Sequence, residues 1–63
     1  MSGVIMIRGS LNETDVPILS HLLDQANITY DIRIAQATIV VSGSNDEIIR
    51  AKELLSRNGF DLI

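Results

Sequence analysis

An α+β fold, in which a four-stranded antiparallel sheet carries both helices on one face, is predicted by three observations. Ile28, Tyr30, Ile32 and Ile34 alternate with Thr29, Asp31 and Arg33, and the stretch Ala37–Gly43 follows with the matching alternation, so the middle of the chain reads as a β-hairpin. A strand-then-helix pattern precedes that hairpin and a helix-then-strand pattern follows it. The chain of 63 residues has room for one domain, residues 1–63, and no more.

Taken in order, Val4-Ile5-Met6-Ile7-Arg8 is a short apolar run closed by Gly9, as expected of a central strand, with the first two or three residues frayed. Gly9 to Asp15 is polar apart from Leu11 and forms the first strand-to-helix loop. Thr14 or Asp15 is the expected N-cap of the first helix, because Pro17 then falls in the first turn, where its missing N–H is not needed. Val16, Ile18, Leu19, Leu22, Leu23 and Ala26 fill one side of that helix. Asn27 suits the left-handed position that ends it.

In the hairpin, a two-residue turn at Ala35-Gln36 sets Ile34 opposite Ala37, Ile32 opposite Ile39, Tyr30 opposite Val41 and Ile28 opposite Gly43. Neither turn residue favours the positive φ that common two-residue turns require. Ser44-Asn45-Asp46-Glu47 is a capping box opening the second helix, whose buried stripe is Ile48, Ala51, Leu54 and Leu55. Asp46 with Arg50, and Glu53 with Arg57, are i,i+4 pairs in the favourable order. Asn58-Gly59 ends the helix, Phe60 is placed for the hydrophobic contact of a Schellman motif, and Phe60-Asp61-Leu62-Ile63 is long enough for a last edge strand. Strand, helix, strand, strand, helix, strand in this length predicts a ferredoxin-like βαββαβ sandwich. The thioredoxin-like alternative lacks a Cys-x-x-Cys before the first helix.

Composition removes several function classes. With no cysteine and one histidine, His21, neither a disulfide nor a zinc site can be assembled. Eight acidic against five basic side chains give a formal charge of −3, the wrong sign for a phosphate backbone, and Tyr30 and Phe60 alone make no stacking platform, so no nucleic-acid partner is expected. No apolar run approaches a membrane span and no signal-peptide pattern opens the chain, so no membrane role is expected and a cytoplasmic location is the default. His21 reads as a solvated helix histidine, Asp31 and Asp61 as members of surface ion pairs, and Gly9–Thr14 lacks the second glycine and the lysine of a P-loop. A non-enzymatic role without cofactor or metal is expected.

Two surfaces are candidates for function. If both helices cover Tyr30, Ile32, Ile39 and Val41, the opposite sheet face carries Met6, Arg8, Thr29, Asp31, Arg33, Thr38 and Val40, with Val4 completing an apolar centre; these form a candidate protein-interaction surface. The amides of the first loop, with Gly9, Ser10, Asn12 and Thr14, form a candidate seat for a small ligand, a zwitterion rather than a phosphate because Glu13 and Asp15 are close by.

The first strand ending at Arg8-Gly9, the loop into Val16-Pro17-Ile18-Leu19-Ser20-His21-Leu22-Leu23, the segment Ala26–Ile32 and the second half from Ile39 to Phe60 resemble the ACT and NIL small-molecule-binding domains. The resemblance implies amino-acid sensing near the first loop, at Gly9, Ser10, Asn12 and Thr14, and assembly through subunit interfaces. Such domains are normally fused to the protein they regulate, whereas this chain is expected to act in trans. The resulting expectation is a small regulatory or interaction module, a homo-oligomer or the partner of another protein, with an amino acid as a possible ligand. The alternative is a protein-binding inhibitor or adaptor that uses the open sheet face or the exposed second-strand edge and takes no small ligand.

Overall fold

The second strand of the β-hairpin is the centre of the sheet. The computed structural model describes residues 2–63, with β1 at Ser2–Met6, α1 at Val16–Gln25, β2 at Thr29–Arg33, β3 at Thr38–Ser42 and α2 at Asn45–Arg57. The fold is α+β, a three-stranded antiparallel sheet in the order β1-β3-β2 with two helices. Tyr30 faces Val41 and Ile32 faces Ile39, in the expected register, and β1 adds Gly3 beside Val41 and Ile5 beside Ile39. These residues alternate toward the helices, so Ile5, Ile39 and Val41 are buried together with Leu19, Leu23, Ala51 and Leu55. The core is small, about what a domain of this length can hold, and burial of apolar surface is its main support.

Three strand-level expectations are corrected. The first strand begins at Ser2 rather than fraying through Gly3, and as a strand it ends at Met6 rather than Arg8. Gly3 explains the early start: a Cβ there would lie 2.6 Å from Ile48 Cδ1, so the missing side chain lets α2 settle onto the sheet. Met1 lies outside the described residues.

At the other end of the chain, Phe60–Ile63 contributes one antiparallel bridge, Leu62 to Ile7, in place of a full fourth strand. The Arg8 amide donates to Asp61 O at 2.8 Å and the Ile63 amide to Met6 O at 3.0 Å. Phe60 cannot extend this pairing through its amide, which donates to the Leu55 carbonyl at 3.0 Å.

The hairpin connection has four residues, not two. Ile34–Gln36 form a 3-10 turn, closed by the Ala37 amide donating to Ile34 O at 3.0 Å, and Ala37 takes φ 50°. The turn thus avoids positive φ at Ala35 and Gln36 and concentrates it on one residue. Left-handed backbone is unfavourable for alanine by about 1 to 2 kcal/mol, partly offset in a glycine variant by the greater entropy of the unfolded chain. Ala37→Gly is therefore expected to stabilise the protein by about 0.5 to 1 kcal/mol, a rise of several degrees in Tm that a thermal melt will read.

The helix ends follow their sequence signals. Asp15 is the N-cap of α1, one of the two residues expected there, with Pro17 in the first turn; the 3-10 turn Glu13–Asp15 that precedes α1 has its own extended N-cap at Asn12. Asn27 (φ 58°) and Gly59 (φ 92°) both take left-handed backbone. At each helix end the pair of bonds that defines a Schellman motif is present: Ile28 N to Leu23 O with Asn27 N to Asp24 O, and Phe60 N to Leu55 O with Gly59 N to Ser56 O. The capping box forms as expected, the Glu47 amide donating to Ser44 Oγ at 3.3 Å and the Ser44 amide to Glu47 Oε1 at 3.1 Å.

Ile18 departs from the expected apolar side and is 52% exposed, because it sits about 100° around the helix from the Leu19 direction that faces the core. Leu11, isolated in its polar loop, is instead buried. Among the described residues, no helix is long and apolar enough to cross a membrane.

Candidate protein-interaction surface

Strand register builds the open face in rows. Ser2, Ser42 and Thr29 form the first; Val4, Val40 and Asp31 the second; Met6, Thr38 and Arg33 the third. Because side chains alternate across a strand, all of these point away from the helices. Val4 and Met6 are 57% and 50% exposed, and Val40 and Thr38, on the central strand, are half-buried. The apolar centre is therefore a column from β1 beside one valine of β3.

Ile63, 73% exposed and hydrogen-bonded by its amide to Met6, extends that centre at the outer edge of β1. Its contribution was not anticipated from sequence, although the alternation Phe60-Asp61-Leu62-Ile63 carried the signal.

Two ion pairs border the patch. Arg33 Nε donates to Asp31 Oδ2 at 2.7 Å on β2, and Arg8 Nε lies 3.2 Å from Asp61 Oδ2 past the end of β1. All four side chains are more than half exposed, so each pair adds little to stability. Their effect is to leave the sheet face without net charge, while the formal −3 of the chain resides on the helices and the first loop. Met6, Thr29, Asp31, Arg33, Thr38 and Val40 thus share one surface, with Arg8 at its corner. The expected pairs Asp46–Arg50 and Glu53–Arg57 do not close; among the described residues the ion pairs are the two on the sheet. Long exposed side chains gain too little Coulomb energy in water to hold one geometry.

The first loop is arranged differently. Gly9, Ser10, Asn12 and Thr14 are all exposed, and Gly9 takes φ 86°. The Asn12 amide already donates to Asp15 Oδ2 at 3.0 Å, so a carboxylate of the protein itself occupies part of the seat expected for a ligand. A separate groove of about 360 Å³ lies on the helical side, between Ala26 at the end of α1 and Arg50, Glu53, Leu54 and Arg57 of α2. His21 is exposed, and among the described residues no three His, Asp or Glu side chains gather as a metal site would require.

Comparison with known proteins returns no match. No protein-family model, no curated protein and no solved structure aligns significantly with this chain.

Proposed function

We propose that the chain is a non-enzymatic interaction module that acts in trans, self-associating or binding a protein through its open sheet face. The observation that carries this reading is the uncovered column of Val4 and Met6 beside Val40, apolar at the centre and bordered by the self-neutralised pairs Asp31–Arg33 and Arg8–Asp61. A face of that make-up has the layout of a protein contact, with an apolar middle and a polar rim. The small core adds to the argument, since a domain of this size gains stability from assembly.

In this proposal the layout is ferredoxin-like, with residues 60–63 standing in the place of the fourth strand beside β1. The ACT/NIL-type elaboration, regulation by an amino acid held at Gly9, Ser10, Asn12 and Thr14, rests on the sequence resemblance and has less support, because the Asp15 carboxylate engages the Asn12 amide.

Val4→Asp tests the face. Val4 is more exposed than Val40, and an aspartate there does not stand directly beside Asp31 as one at Val40 would. The variant is expected to keep its far-UV circular dichroism while losing self-association in sedimentation, or capture of a protein partner. Unchanged association together with unchanged capture rejects the surface.

A further inference from the structure

The open face is self-complementary under a two-fold rotation, and we propose, building on the reading above, that its occupant is a second copy of this chain packed sheet to sheet. The two middle rows, Val4–Val40–Asp31 and Met6–Thr38–Arg33, lie about 6.7 Å apart along the strands. Place a two-fold axis in the plane between two such faces, running across the strands midway between these rows. Each strand then lies over its own copy and the rows exchange. Val4 stands over the second copy's Met6, Val40 over its Thr38, and Asp31 over its Arg33. Both apolar residues of β1 are covered by apolar residues, and the Asp31–Arg33 contact across the interface is made twice in the dimer, as an isologous interface demands.

The alternative axis, along β3, sets Asp31 and Arg33 of β2 against Val4 and Met6 of β1. That would strip water from two charges against hydrocarbon, so charge placement selects the first axis. Two residues decide the matter, because Asp31 and Arg33 sit on one strand, on one face, one row apart, with opposite signs. Across the interface the intrachain pair of 2.7 Å becomes a four-membered ring of alternating charge. Three short strands make a small footprint, so the dimer is a weak one that exchanges with monomer at micromolar concentrations and above.

The test is sedimentation velocity from about 10 µM to about 1 mM, the range that spans weak association, on the wild type, Val4→Asp, Asp31→Arg, Arg33→Asp, an equimolar mixture of the last two, and the double variant Asp31→Arg/Arg33→Asp. The wild type is expected to double its mass with concentration. Asp31→Arg alone opposes arginine to arginine, and Arg33→Asp alone opposes aspartate to aspartate, so each stays monomeric. Their mixture restores both contacts and forms a heterodimer, and the double variant restores the homodimer even if a single variant folds poorly.

A wild type that remains monomeric overturns the proposal and leaves the face to a different protein. Dimers lost in Val4→Asp but kept in both charge variants overturn the two-fold arrangement while sparing the face itself. A dimer indifferent to all three substitutions overturns both.

Discussion

Leu23→Ala will leave the protein largely unfolded at 25 °C. Leu23 has no exposed surface and lies among Leu19, Ile39, Val41, Ala51 and Leu55 in the core. Truncating such a leucine destabilises by about 2.7 to 5 kcal/mol, the transfer loss and the residual cavity together. A single core in a domain this short supplies roughly 3 to 5 kcal/mol in total, so the substitution removes most or all of the margin. Far-UV circular dichroism and a urea titration will show the loss as a missing or strongly lowered transition. Ile18→Ala is the matched control, since it truncates the same helix on its exposed side, where surface changes stay within about 0.5 kcal/mol. Equal losses in the two variants would mean that α1 does not bury the face described.

Gly43→Ala will destabilise the protein by about 2 to 4 kcal/mol. Two independent effects act at this residue. Its φ of 148° belongs to glycine, and a Cβ there would fall 2.8 Å from the carboxyl carbon of Glu47, the residue that closes the capping box with Ser44. The substitution therefore strains the backbone between β3 and α2 and displaces the group that caps α2, a cap contributing about 1 kcal/mol by itself. Gly9→Ala separates the two effects: Gly9 also has positive φ, 86°, but a Cβ there meets nothing within 4 Å. Chemical denaturation should show a smaller loss for Gly9→Ala than for Gly43→Ala. Equality would place the whole effect in the backbone.

The parts of this fold that could be read in the sequence are those in which one local signal has one structural answer. Period-two alternation set the pairing of Tyr30 with Val41 and Ile32 with Ile39, since a slip by one residue would turn Ile32 and Ile39 out to solvent. Ser44 and Glu47 marked the start of α2, and Asn27 and Gly59 the helix ends, because few residue types serve those positions.

What escaped were competitions between neighbours. Phe60–Ile63 alternates like a strand, yet the Schellman motif takes the Phe60 amide and leaves a single bridge at Leu62. Ala37 carries no mark of the left-handed conformation that the turn imposes on it. Leu11 gave no sign, from its polar surroundings, of reaching the core. On the candidate face, alternation alone assigned Asp31, Arg33, Thr38 and Val40 to one side; for Ile63 the alternation of Phe60–Ile63 carried the side, but its place beside Met6 depended on the Ile7–Leu62 bridge.

The neighbours of β1 also govern the order in which the molecule can assemble. The β2–β3 hairpin closes across a four-residue connection and needs no distant part of the chain. β1 pairs on one side with β3, reached only after α1 and the hairpin, and at Ile7 with Leu62, almost the whole sequence away. Bringing such distant segments together costs more chain entropy than closing the hairpin, so the strand made first is expected to be the strand docked last. Until then Val4-Ile5-Met6-Ile7 is an unpaired apolar segment, and it marks the interval during which a folding chain is most exposed to aggregation.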